Sequence, residues 1–291
     1  MLTCHRPPLP DLCFADYASK DFLWPPLVRG GTPRRVNAGW AQHVAIGGSG
    51  PQALMREVTF NAQLQQLQWL PPAETQRLRT TVLANQTTIA LPGSSGADYD
   101  LGLPAGAGLQ SEVIISFPLP PAQGRLSLLV MGAADGANAT EIYVENHSTD
   151  GGGTIAVGVV PAAINGTETL EQRATLRLAR GEARVEVRVF VDRFMGEAFV
   201  QQGRQTFVKT PSPSLQLCNW RLPCFAELGS WVFQTFDAPP PADGHGGMRL
   251  RSNGQPASGV AVTAWRLGSI WVSPEEVLAT SRTDEYTTGK L

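Results

Sequence analysis

An all-β chain built around an antiparallel β-sandwich is predicted by three features of the 291-residue sequence. Glycine (30) and proline (23) are abundant, which favours many turns between short strands over long helices. Residues 183–192 alternate strictly: Val185, Val187, Val189 and Val191 face one way, and Glu186, Arg188 and Phe190 face the other. That period of two gives a strand one core side and one mostly wet side. Further short runs of branched residues follow at turn-punctuated spacing, with scarcely any helical periodicity between them.

The elements follow in chain order. Pro-Pro and Gly-Gly pairs break the first 70 residues, leaving strand-like pieces at 36–44, 58–60 and 67–70. Pro71 and Pro72 then precede Glu74 and good helix formers up to Arg79, which reads as a short helix or helical turn in a connector. The domain boundary is placed there, with residues 73–85 as linker, 86–275 as sandwich and 276–291 as tail. In residues 111–117, Val113, Ile115 and Phe117 share one face. Residues 125–131, 140–145 and 154–160 are further strands. After 183–192 the chain turns at Phe194-Met195-Gly196, and 197–200 begins a returning strand. Residues 228–236, 248–251 and 260–267 continue the pattern. No fixed-period repeat is present.

Composition narrows the function classes. Charged residues are only 16% of the chain and the formal net charge is −2, so no basic field exists to hold a phosphate backbone. Nucleic acid is not expected as a partner. No window of about 18 uncharged apolar residues occurs, so no membrane span is expected. The N-terminus, Met1 to Pro8, has no apolar stretch of the signal-peptide kind. Yet four N-x-S/T sequons, at Asn85, Asn138, Asn146 and Asn165, suggest glycosylation of a secreted or extracellular protein. Cys218 and Cys224 either close a short loop or stay as thiols; Cys4 and Cys13 are equally open.

The common catalytic constellations are missing. Gly47-Gly48-Ser49-Gly50-Pro51 departs from G-x-S-x-G at its last position, and no lysine follows Gly151-Gly152-Gly153 as a phosphate-binding loop would require. There is no C-x-x-C, and His5, His43, His147 and His245 are scattered. Neither a metal nor another cofactor is expected. Asp192 and Glu197 flank a hairpin turn; paired carboxylates suit acid–base work on glycosides when a cleft drives their pKa values apart. The simpler expectation is that Asp192 closes the turn beside Arg193 or Arg188 while Glu197 faces water.

Several segments, in order, resemble glycoside hydrolase family 32, the invertases, β-fructofuranosidases and fructan hydrolases. Asp16-Tyr17-Ala18-Ser19-Lys20-Asp21-Phe22, then Arg34-Arg35-Val36-Asn37-Ala38-Gly39-Trp40-Ala41, are similar to its Tyr-Ala-Ser-Lys stretch and its Arg-Arg…Gly-Trp strand. Arg56-Glu57-Val58-Thr59-Phe60 resembles its Pro-Arg-Glu-Leu segment, with Met55 in place of proline. Leu67-Gln68-Trp69-Leu70-Pro71-Pro72, with Glu74, Leu78 and Arg79, resembles its inter-domain linker. Val191-Asp192-Arg193, with Glu197, Phe199 and Gly203, resembles its Val-Asp-Arg-Ser-x-x-Glu-x-Phe hairpin, and residues 262–271 its closing strand.

The resemblance implies a five-bladed β-propeller followed by a β-sandwich, with residues 1–72 supplying only the last blade. It places Lys20 and Trp40 as candidate substrate-side residues. The family's catalytic acids belong to Asn-Asp-Pro, Arg-Asp-Pro and Glu-Cys motifs. No Asp-Pro or Glu-Cys dipeptide occurs here, so no catalytic role is carried over to any residue. Leu12-Cys13-Phe14 also stands where members often have Asp-Tyr-Gly. The implied function is therefore the C-terminal part of an enzyme acting on sucrose or fructan oligosaccharides, truncated and inactive by itself. The alternative is a non-catalytic sandwich that binds carbohydrate, with Trp220, Trp231, Trp265 and Trp271 as a stacking platform, or that docks on a homologous chain. An unrelated adhesive sandwich would instead absorb residues 1–70 into its own sheets.

Overall fold

The computed structural model describes residues 17–24, 26, 31–40, 52–93, 98–133, 139–147, 153–160, 171–193, 195–208, 246–269 and 275. Strands β1 (Tyr17–Trp24), β2 (Arg34–Trp40), β3 (Arg56–Asn61) and β4 (Gln66–Leu70) form an antiparallel four-stranded meander in that order. A 3-10 helix, Ala73–Leu78, leads out of it. One six-stranded sheet contains β5 (Arg79–Leu91), β7 (Gln110–Pro118), β12 (Arg184–Asp192), β13 (Met195–Val200), β14 (Gln205–Val208) and β16 (Ala257–Leu267), in the order β14-β13-β12-β7-β16-β5. The other contains β6 (Tyr99–Asp100), β8 (Arg125–Gly132), β9 (Thr140–Glu145), β10 (Thr154–Val160), β11 (Gln172–Arg177) and β15 (Gly247–Asn253), ordered β11-β10-β9-β8-β15-β6.

The two six-stranded sheets share one core. Val113, Ile115 and Phe117 of β7 and Val185, Val187, Val189 and Val191 of β12 are fully buried against Leu126, Leu128 and Val130 of β8 and Val157 of β10. Alternation puts these side chains on one face, and branched residues fit the pleat. Each such burial stabilises by about 1.5–3 kcal/mol relative to exposure, before chain entropy is subtracted. The predicted sandwich is thus present.

Details differ from the sequence reading. The expected linker, 73–85, holds the 3-10 helix and then half of β5, because Arg79 already pairs with Leu267 of β16. The hairpin turn comes earlier than expected: Met195 pairs with Asp192, and Arg193 takes φ +56°. The outer side of β12 is mostly wet, as expected: Arg184, Glu186 and Asp192 are exposed, while Arg188 is half-buried and Phe190 alone is buried. The described part of 17–70 forms its own sheet, which contradicts the unrelated-sandwich alternative. The strand expected at 228–236, the ends of those at 36–44 and all four cysteines lie outside the described residues.

Candidate functional site

The chemistry-bearing side chains concentrate where the four-stranded sheet and the 3-10 helix meet the outer face of the β12–β7–β16 sheet. Glu112 on β7 sits between Arg188 on β12 and Arg79 on β5. Register explains this: Glu112 pairs with Phe190 and with Trp265, one step from each arginine's row. The Glu112 carboxylate is completely buried. It accepts 2.6 and 2.7 Å hydrogen bonds from Arg79 Nη2 and Nε, and a 2.6 Å bond from Arg188 Nε. Arg79 lies over the Trp265 ring at 3.8 Å, and Arg188 over Phe190 at 4.8 Å. Such forked, charge-assisted bonds fix both guanidinium planes.

This cluster grips the connector. Arg188 Nη2 donates to Thr75 Oγ1 at 3.2 Å, and that hydroxyl donates to the Pro72 carbonyl at 2.7 Å. From the other side, buried Arg34 of β2 reaches Glu57 of β3 at 3.2 Å and Glu74 of the 3-10 helix at 2.6 Å. The helix is too short to be stable alone. A hydrogen bond from Arg188 on one flank and an ion pair with Arg34 on the other hold it.

A second junction centres on Glu197 of β13. The carboxylate and the Arg56 guanidinium of β3 are each 1% exposed and lie 3.5 Å apart. The Leu54 backbone N–H also donates to Glu197 at 2.8 Å. Arg56 faces the Phe199 ring, which meets Phe190 edge-on at 6.0 Å. Glu197 was expected to face water; it does not, because β3 lies over β13. Close by, the Trp69 N–H donates to the Gly203 carbonyl at 3.0 Å. Gly203 has φ +72°, and a Cβ there would stand 2.1 Å from the Trp69 carbonyl oxygen. Only glycine permits that approach.

The third junction is Glu182 with buried Arg204, paired through 2.7 and 2.8 Å bonds. Arg204 also donates to the Arg177 carbonyl at 2.8 Å, and Arg177 Nη1 to Leu64 of the four-stranded sheet at 3.4 Å. Burial alone would raise the Glu182 pKa. Hydrogen bonds from Arg204, Gln201 and the Ala179 N–H outweigh it and hold the pKa below its ordinary 4.5. A depressed folded-state pKa contributes stability that is present above the unfolded value and lost as pH falls through the folded one. Urea melts should therefore weaken as pH drops below about 4.5, and the Glu182→Gln variant should show a shallower loss over that range.

On the other sheet, Arg125 binds Glu141 through 3.0 and 2.7 Å bonds and lies 3.5 Å from the Tyr143 ring. The Tyr143 hydroxyl donates to Glu171, and burial pushes its pKa upward.

The residues singled out from sequence are dispersed. Lys20 is exposed on β1 opposite Ala38; Trp40 ends β2 opposite Tyr17. Asp192 and Glu197 do not stand opposite one another: their cross-strand partners are Met195 and Phe190, and Glu197 turns to Arg56. Arg188 serves Glu112 rather than Asp192. His147 pairs with Glu145 at 2.8 Å. One face of Trp265 is taken by Arg79, which counts against a sugar-stacking role; Trp220, Trp231 and Trp271 lie outside the described residues. So do Asn138 and Asn165; Asn85 is exposed and Asn146 half-buried. Among the described residues, no group of three or more His, Cys, Asp or Glu could hold a metal ion. The buried carboxylates Glu112 and Glu197 face arginines. Arg56–Glu197 joins the four-stranded sheet to the sandwich and Glu112 braces strands within one sheet, whereas glycoside cleavage needs two carboxyl groups facing a bond.

No protein-family model and no curated protein matches the sequence. Among solved structures, the chain is similar to fructan 1-exohydrolase IIa from Cichorium intybus, solved with 1-kestose, at TM-score 0.66 and 18% identity, covering 89% of this chain and 49% of that one. It is also similar to exo-inulinase from Aspergillus awamori (TM-score 0.60, 17% identity, 90% of this chain and 44% of that one). A fructofuranosidase from Schwanniomyces occidentalis, complexed with fructosylnystose, matches at TM-score 0.53 and 11% identity, with 89% and 49% covered. The chain thus has the fold of part of the family 32 fructosidases, as its motifs suggested, and spans less than half the length of these structures.

Proposed function

We propose that the chain is the non-catalytic, C-terminal part of a β-fructofuranosidase-type glycoside hydrolase: the last propeller blade held rigidly by a β-sandwich. The observation that carries this reading is the superposition of 89% of the chain on 49% of a fructan exohydrolase. The four-stranded meander suits a propeller blade. Leu23 and Phe60 of that meander are 76% and 58% exposed. In this reading a neighbouring blade would cover such exposed apolar side chains.

The role of the sandwich in this reading is mechanical. A fructosidase must hold a nucleophilic carboxylate and an acid in fixed positions across a central cavity. In this reading the Arg56–Glu197 ion pair, with the Arg188–Thr75 and Arg177–Leu64 hydrogen bonds, would hold one blade, and the sugar-cleaving acids would belong to other parts of such an enzyme. Sucrose or a fructan would be the whole enzyme's substrate.

The test is fructose release from sucrose, raffinose and inulin by the purified chain. No release is expected. Turnover that disappears on substitution of a carboxylate within these 291 residues would refute the proposal.

A further inference from the structure

Open strand edges are templates for pairing with other chains, and natural sheets blunt them with charge, proline or shortness. The described sheets do so at most edges. Strand β1 carries Lys20 and Asp21, and β11 carries Arg173 and Arg177. Strand β6 has two residues and β14 four. The outer side of β4 is met by Gly203.

Strand β5 is the exception. It is 13 residues long and lies at the end of its sheet among the described strands. After Arg79 it reads TTVLANQTTIAL, with no charge and no proline. Val82 within it is 57% exposed. A long, uncharged, β-prone edge is an aggregation hazard. Shifts of register against β16 bend it, which is partial protection.

In the middle of this strand stands Asn85, exposed, opposite Thr263 and followed by Gln86 and Thr87. We infer that Asn85 is an N-glycan acceptor whose sugar shields the β5 edge, which no other described strand covers. The Asn85 amide nitrogen bonds to the anomeric carbon of an oligosaccharide carried on a lipid pyrophosphate. The carbon–oxygen bond to the pyrophosphate breaks, the lipid pyrophosphate leaves with the electron pair, and the displaced amide proton goes to solvent. A hydrated glycan then supplies bulk beyond that of the strand's own threonine and amide side chains. Asn146 offers a contrast: it is half-buried, and its Nδ2 donates to the Pro120 carbonyl at 3.0 Å.

The inference needs passage through a secretory pathway and is independent of the fructosidase reading. Fructose release by the chain would sink that reading and leave the glycan map unchanged. The experiment is secretion of the full chain from a eukaryotic host behind an added leader, with peptide mapping after enzymatic deglycosylation. Asn85 should be occupied. The Asn85→Gln variant should lose one glycan step on a gel, keep its circular dichroism, and self-associate at lower concentration by light scattering. An unmodified Asn85 in the secreted wild type, or a variant as monodisperse as that wild type, would overturn the inference.

Discussion

Replacing Glu197 by alanine is expected to cost about 3–5 kcal/mol of stability in urea unfolding, the range for breaking a buried ion pair from one side. The Arg56 guanidinium, 1% exposed, would lose this carboxylate, and the Leu54 N–H would lose its 2.8 Å acceptor. Glu197→Gln should cost less, because its amide oxygen can still accept from Leu54. The paired variant Arg56→Met/Glu197→Leu should recover much of the loss, since apolar replacement of a buried pair is often neutral. A loss below about 1 kcal/mol for the alanine variant would mean that the junction contributes no more than an exposed pair.

Glu112→Ala should be at least as severe, again about 3–5 kcal/mol, with repulsion between two neighbouring guanidiniums added. One fully buried carboxylate serves both Arg79 and Arg188. Without it, Arg188 would no longer be aimed at Thr75, and the 3-10 helix would lose a tether. Proteolysis within residues 71–78 should therefore accelerate in this variant, while cleavage elsewhere changes less. An unchanged cleavage pattern would show that Arg34 and Glu74 hold the connector by themselves.

The sandwich core was legible because its strands alternate: β7, β12 and β16 declare one buried face through valine, isoleucine and phenylalanine at every second position. Strand β5 was hidden, because its threonines and amides break that alternation and edge position removes the need for it. Strand β11 was hidden for a similar reason: Arg173, Thr175 and Arg177 leave only a short apolar trace. Glu197 was misplaced for a different reason. Alternation distinguishes two faces of a strand but not what covers the outer one. Glu197 is covered by residues 141–143 positions away in sequence. The one local hint was composition: Glu112, Arg188 and Trp265 share the outer face of adjacent strands, an unusual concentration of large and charged groups on a side expected to be wet.

Native-state hydrogen exchange tests most directly whether the four-stranded sheet and the sandwich are one mechanical unit. Amides in Arg56–Asn61 and Gln66–Leu70 should open with nearly the same free energy as those of β7 and β12, and Glu197→Ala should lower the first group selectively. Fast exchange of both segments in the wild type, beside a fully protected sandwich, would show the blade to be a loose appendage and contradict the account.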